Sequence, residues 1–532
     1  MASVPAGTAP QGQNRSQQIL DEENALGGLL APLHLGFLDG AILVVYLGAL
    51  GWIGWWAAHR TAKTTEDYFL ASRSIPWLVA TASFFAACIS ALTFVGVPAE
   101  GYASDYRYLL SNGGDILATV FIAFVFIPCF QKFRVTSIYE IIAQRFGHGA
   151  RVTASAYFLI TRTMASTVRV VVIAKVLQVV TGGGVSYAHC VVFVVLAILA
   201  YTTMGGGRAV AWTDTLQFVL LISGAVISIV YIVLHVPGGI AGIVAAGKHA
   251  IRPDGTLYDK FNFLELYKRK NLALLALMVV WGFFNSSAAY GVDQDMVQRL
   301  LACRDEKKAR FSLIVWGLAG IPITFIFLSI GVGLYAYAQA HPAFVVGMRD
   351  PDHVFPRFIL AVMPPGLRGL LLAGVASAAM GSADSALASL STAFVMDFYK
   401  PFWGKNAEQK ELVRVSRFSF VAFGLIFLVL ALELKGLDRV LWLAFRVISY
   451  TYGPLLGLFA AAIMTDWKLN SRRAAWLMII PTAALFTVEM LSWHFAAQGG
   501  IWGQIHDTYW RLYVVFGALF VFFGARLLRQ RT

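Results

Sequence analysis

Residues 75–99 read IPWLVATASFFAACISALTFVGVPA. A lipid bilayer's hydrocarbon core takes about 20 consecutive apolar residues in a helix, and this run is long enough. Its middle is unusual. Cys88-Ile89-Ser90-Ala91-Leu92-Thr93 interrupts the apolar pattern, with Gly96 and Pro98 following. Small and hydroxyl residues also pack ordinary membrane helices, so this stretch alone does not decide the fold. A second stretch does the same thing: Asn285-Ser286-Ser287-Ala288-Ala289-Tyr290-Gly291 sits inside the apolar run 272–298. The two interrupted runs are five spans apart, and each opens a set of five. Broken helices at matching places in two halves point to an inverted repeat with a binding site at the breaks. No sequence identity links the halves, so the repeat rests on helix order.

The rest of the chain supports a membrane setting. Its 532 residues are 58% hydrophobic and 13% charged, with a mean hydropathy of +0.68. Soluble domains are about 45–50% apolar and about 25% charged. The expected fold is an all-α polytopic membrane protein with about thirteen spans: 36–57, 75–99, 111–133, 150–180, 184–204, 208–235, 272–298, 309–338, 367–398, 412–434, 438–465, 473–494 and 508–528. The connections 236–271 and 339–366 are long, and the first has room for a short surface helix. Residues 1–33 read as a disordered external tail and 36–57 as a peripheral first helix. Residues 75–465 form the inverted-repeat core, and 473–532 form peripheral C-terminal helices with a short cytoplasmic tail. With the N-terminus outside, about 24 Lys and Arg fall on the inner side, including Arg60, Lys63 and Arg304, and about 14 on the outer. That bias sets the orientation as N-out and C-in, in a plasma membrane, with a bacterial inner membrane expected. The net charge of +13 is thereby assigned to loops and calls for no nucleic acid. No segment marks an obligate protein partner. The four cysteines form no C-x-x-C pair, the histidines are scattered and no H-E-x-x-H occurs. Neither a metal cluster nor an enzyme is expected.

Ionisable groups inside a bilayer cost several kcal/mol, so each is a functional candidate. Arg162, Arg169 and Lys175 lie in the fourth span, Asp214 in the sixth, Asp384 in the ninth and Arg446 in the eleventh. Lys175 is placed to extend its ammonium to an interface. Arg162 and Arg169 are two helical turns apart on one face, open equally to pairing with carboxylates and to holding a ligand. Asp293, Asp295 and Arg299 read as an interfacial salt-bridge set closing the seventh span. Asp384, flanked by Ser382 and Ser385, has no such plain explanation. Carboxylate, hydroxyl and carbonyl oxygens are the hard ligands that suit small alkali cations.

Five stretches, in order, carry a resemblance over about residues 36–465. They are the run from Ala82 to Phe94, the run from Lys132 to Glu140, and Gly205-Gly206-Gly207 with Trp212-Thr213-Asp214-Thr215-Leu216-Gln217. Asp293-Gln294 with Val297-Gln298-Arg299 follows, then Met380-Gly381-Ser382-Ala383-Asp384-Ser385 with Ser391-Thr392 and Met396-Asp397-Phe398-Tyr399. The chain resembles the sodium/solute symporters, the group that holds sodium/glucose and bacterial sodium/sialic acid cotransporters. The resemblance implies a five-plus-five inverted-repeat core of the LeuT type. It implies a sodium site on Ala86, Ile89, Ala378, Gly381 and Ser382, where Gly381 stands in place of a hydroxyl common in the family. It implies a second cation site on Asp214, Gly381, Asp384 and Ser385, taking sodium or a proton. Two carboxylates at one place repel when empty, and either cation relieves that.

For the solute, the resemblance implies Ser90, Thr93, Tyr108 and Asn112 from the sialic acid group, and Arg446 from the sodium/glucose group. The carboxylate-binding arginine of the sialic acid group falls on Ala165, with Arg162 and Arg169 one turn either side. The implied activity is sodium-coupled import of a small organic solute by alternating access. A sialic acid or other carboxylated sugar is favoured, with a neutral sugar, polyol or amino acid and a proton-coupled variant as alternatives. A channel or solute sensor on the same fold is the reading from another class.

Overall fold

The computed structural model describes residues 36–530 apart from 60–63, 91, 182–183, 252–254, 262–268, 304, 349, 436–439, 496–499 and 508. The tail 1–33 and the loop residues Arg60, Lys63 and Arg304 lie outside the described residues. The long helices are α1 (Phe37–Ala58), α2 (Trp77–Cys88), α3 (Val97–Ala103), α4 (Ser111–Phe121), α5 (His148–Val180), α6 (Tyr187–His235), α7 (Gly239–Lys248), α8 (Arg269–Gly291), α9 (Gln294–Leu301), α10 (Glu306–Ala340), α11 (Leu367–Ala393), α12 (Gln409–Glu433), α13 (Val440–Met464), α14 (Ser471–Phe495) and α15 (Tyr513–Leu527). Nine helical stretches among the described residues have the length and composition to cross a membrane, or up to eleven if each of two bent pairs counts as one. The apolar helices Tyr187–Thr203 and Ile448–Met464 are shorter and lie within the fifth and eleventh expected positions. Among the described residues the only strands are a small hairpin, Ala250–Ile251 paired with Leu257–Tyr258, in the connection that also carries α7.

Both interrupted runs are broken, though residues 285–291 themselves stay helical. The chain bends by 62° between Trp77–Cys88 and Thr93–Ala103, and by 59° between Leu275–Gly291 and Gln294–Leu301. The second break falls at residues 292–293, just beyond the small-residue stretch that announces it. The cause is Asp293, whose side chain accepts from Asp295 N at 2.8 Å and starts α9 as its N-cap. A carboxylate at that position satisfies an amide that a helix start leaves without a partner. Gly206, at φ +56, bends α6 between the fifth and sixth expected spans, and a Cβ there would lie 2.4 Å from the Tyr68 carbonyl.

Backbone contact between glycines exposes the repeat. On α3, a Cβ at Gly101 would lie 2.4 Å from Leu328 O; on α10, a Cβ at Gly331 would lie 2.1 Å from Pro98 O. On α4, a Cβ at Gly114 would lie 2.1 Å from Val279 O; on α8, a Cβ at Gly282 would lie 2.3 Å from Ser111 O. Counting from α2 as the first core helix, the second half of helix one meets helix seven, and helix six meets helix two. A five-plus-five repeat exchanges those two pairs. Small residues permit such close approach, and in lipid it is dispersion and polar contact, not water exclusion, that holds helices together. Outside the bundle, the Lys260 ammonium donates to the carbonyls of Gly101, Tyr102 and Ser104 at 3.1, 2.8 and 2.6 Å, holding the C-terminal end of α3.

Gly282→Leu is expected to abolish the monodisperse, folded protein on size-exclusion chromatography in detergent, because its side chain has no room against α4. Gly48→Leu, with open space around it, is expected to elute as the parent does. Equal behaviour of the two variants contradicts the close crossing.

Candidate functional site

At the first break the helix gives up backbone bonds. Thr93 N and Phe94 N both donate to Ser90 O, at 2.9 and 3.0 Å. That leaves the carbonyls of Ala86 and Ile89 without the partners a continuous helix supplies. Helix α2 packs against α11, whose residues around Ala378 and Ser382 are buried. The Ser382 hydroxyl donates back to Ala378 O and Ala379 O at 3.2 and 3.1 Å, keeping its lone pairs free. Ser385 turns elsewhere, with its hydroxyl 3.4 Å from Asp295 Oδ2.

Beside this lies a run of buried charge. Arg162 pairs with Asp293 at 3.2 Å and with Asp295; Arg299 pairs with Asp295 and, at 3.1 Å, with Asp214 Oδ2. Ser83 donates to the same Asp214 oxygen at 2.6 Å, and Tyr452 donates to Asp293. Asp293, Asp295 and Arg299 were expected at the interface. They are instead buried, at 1%, 1% and 8% exposure, because the 59° bend carries α9 back into the bundle. Asp384 ends the run. Its Oδ2 accepts from Tyr201 at 2.8 Å, and no basic group among the described residues pairs with it. Four carboxylates (Asp214, Asp293, Asp295, Asp384) thus face two guanidiniums (Arg162, Arg299).

Three buried oxygens of this region have no hydrogen-bond partner: Asp214 Oδ1, Gln217 Oε1 and, three residues along α11 from Gly381, Asp384 Oδ1. A Cβ at Gly381 would lie 2.4 Å from Gln217 Oε1 and 3.2 Å from Asp214 Oδ1. The glycine therefore makes room for an amide oxygen where a hydroxyl was expected from the resemblance. A buried acceptor with nothing donating to it is costly. Acceptor-only oxygens gathered without donors are what a desolvated alkali cation requires. Gln217 was missed in the sequence reading although it stands three residues after Asp214 and hence on the same helical face.

A cavity of about 200 Å³ opens on the other side of Arg162. Of the residues expected to meet solute, Thr93, Tyr108, Asn112, Arg162 and Arg169 line it, and Ile89 at the break lines it too. Ser90 is buried but does not belong to that lining. Arg446 is outside it as well; its guanidinium pairs with Glu489 at 3.1 Å, where a buried carboxylate needs it. Arg162 is paired with Asp293 and Asp295, although its Nε has no acceptor, whereas no ion pair among the described residues involves Arg169, whose Nε and Nη1 have no partner. Among the lining residues that escaped the sequence reading is Asp115, although a charge inside the third apolar run was its signal.

The family model described as the sodium:solute symporter family matches residues 68–481. The chain is 28% identical over 460 residues to the sodium/sialic acid symporter SiaT of Proteus mirabilis, covering 86% of this chain and 90% of that one. It is 25% identical over 483 residues to the sodium/glucose cotransporter of Vibrio parahaemolyticus, covering 87% and 88%. Among solved structures it is similar to a substrate-bound, outward-open Na+-coupled sialic acid symporter described as having a novel Na+ site. The TM-score is 0.80 at 26% identity, over 93% of this chain and 99% of that one. The transporter Mhp1 in a closed conformation shares the fold, at a TM-score of 0.52 and 12% identity over 88% and 95%.

Arg299→Ala strands Asp295 and Asp214 without their shared guanidinium. The expected cost is about 3–5 kcal/mol, read as a clear fall in melting temperature in detergent. An unchanged melting temperature contradicts the network.

Proposed function

The chain belongs to the sodium:solute symporter family and is a sodium-coupled membrane symporter; from that premise we propose that it imports a small carboxylated organic solute by alternating access. A sialic acid or another carboxylated sugar is the class that the relatives bring. The observation that carries the carboxylate is Arg169, a guanidinium on the cavity wall with two nitrogens unpartnered. In low dielectric, such a group pairs best with a bidentate anion.

Two cations move with the solute. The first is held by the carbonyls of Ala86, Ile89 and Ala378 and the hydroxyl of Ser382, between the broken helix and α11. The second is held by Asp214, Gln217 and Asp384, with Gly381 giving space. Each cation offsets one of the two negative charges that the guanidiniums leave over. Ile89 is common to the first site and the cavity, which supports sodium binding first and completing the solute pocket. A cation shifts the conformational equilibrium only by its differential affinity for the two states. Sites built across two helices that separate on opening provide that difference. The membrane potential adds about 2.3 kcal/mol per charge per 100 mV. One observation favours a second reading for the inner site: Asp384 has a tyrosine hydroxyl and no base beside it, an arrangement that suits a proton as well. The N-terminus is placed outside and the C-terminus inside, in a bacterial inner membrane, from the loop charges.

In proteoliposomes, an inward sodium gradient is expected to concentrate a labelled carboxylated solute above its external level, and potassium in place of sodium is expected to abolish this. Ser382→Ala is expected to raise the sodium concentration for half-maximal uptake at least tenfold. Gln217→Leu is expected to lower the sodium Hill slope from near two to near one. Equilibration without accumulation contradicts a symporter and supports a channel. A slope of one that Gln217→Leu leaves alone removes the second sodium, and uptake driven by a pH gradient then assigns Asp384 to a proton.

A further inference from the structure

The cavity has a second charged pole. Asp115, on α4, is 8% exposed and lines the same cavity as Arg169. Its Oδ1 accepts from Tyr290 OH at 2.8 Å, and the Trp316 indole N–H in turn donates to that hydroxyl at 2.7 Å. No guanidinium or ammonium among the described residues pairs with Asp115. On its other side a Cβ added at Gly320 would lie 3.5 Å from Oδ2, so the carboxylate lies beside α10. Nearby on α8, Asn285 Oδ1 also lines the cavity and accepts nothing. One wall therefore presents a carboxylate and an amide oxygen with no cation. The α5 wall presents a guanidinium with no anion.

We infer that the solute carries a protonated amine as well as its carboxylate, with the carboxylate held by Arg169 and the ammonium by Asp115 and Asn285. The inference rests on the symport reading above and narrows its solute class to zwitterions. The physical reason is desolvation. A buried carboxylate with no counter-charge and a half-buried guanidinium whose buried Nε and Nη1 have no acceptor are each costly. A solute that supplies both counter-charges relieves both groups at once. A simple carboxylate answers Arg169 and leaves Asp115 facing a neutral group. A neutral sugar answers neither charge. An ammonium has only donors, as Asp115 and Asn285 Oδ1 require; a hydroxyl brings lone pairs that repel a carboxylate unless its hydrogen is directed there. The solute also arrives with no net charge, so all the current carried per cycle belongs to the coupling cations.

The test is the melting temperature of purified protein in saturating sodium. The probes are L-alanine against L-lactate, L-phenylalanine against L-phenyllactate, N-acetylneuraminate, and a neutral hexose. At least one amino acid is expected to stabilise the protein at a concentration at least tenfold below that of its 2-hydroxy acid. Asp115→Asn, which keeps the shape and removes the charge, is expected to abolish that difference while leaving the response to the 2-hydroxy acid. The comparison within the unaltered protein stands even if the variant fails to fold. Equal responses to paired acids, or a response to N-acetylneuraminate alone, overturn the ammonium and leave the carboxylate reading intact. A response to the hexose alone, or to none of the probes, overturns both.

Discussion

Everything in the core follows from the cost of leaving charge unpaired where water is absent. The bundle buries Asp214, Asp293, Asp295 and Asp384 and supplies only Arg162 and Arg299 against them. A soluble protein can hydrate an excess carboxylate, but a helix bundle in lipid has to neutralise it with a neighbour, a proton or a bound ion. The guanidiniums order the carboxylates into one line from the cavity to Gly381, and the charge left over sits beside unpartnered acceptor oxygens. The same constraint explains the broken helices. Only a break frees backbone carbonyls inside a membrane, and a freed carbonyl is tolerated only where it lines a cavity or meets an ion.

The arrangement also couples the two ligands through short physical links. Asp293 starts α9, pairs with Arg162 at the cavity and shares that guanidinium with Asp295; Asp295 shares Arg299 with Asp214. A change at the cation end thus reaches the cavity through two arginines and a helix N-cap. Ser83, on α2, bonds both Asp214 and Arg299, so the first half of the broken helix is tied into the same line. A rearrangement of α2 against α11 would break contacts with both proposed cation regions together. That is the kind of discrete two-state element that coupling between sites requires.

Much of the architecture was legible in the sequence. Hydropathy windows located apolar helices because lipid enforces length, although the described residues give nine to eleven candidate spans against the thirteen expected, and the interruptions at residues 88–93 and 285–291 announced both breaks. The second break was displaced to Asp293, since small residues mark where a helix is weak and an N-cap marks where the next one begins. The same bend explains why Asp293, Asp295 and Arg299 looked interfacial: the end of an apolar run was read as the membrane surface, while the chain folds back. Asp214 and Asp384 stood out by charge. Gln217 did not, because a neutral amide carries no signal until its neighbour is known to be a glycine on another helix. Asp115 carried a signal that the motif-based reading passed over. Arg446 came only from the resemblance, and Glu489, some forty residues on, is what occupies it.

The central claim is that this core, without any solute, holds cations as part of its charge balance. The most direct measurement is equilibrium binding of radioactive sodium to the purified, solute-free protein. The account predicts two sodium ions per chain at saturation and one in Asp384→Asn. Saturation at one ion in both proteins, or none in either, contradicts it.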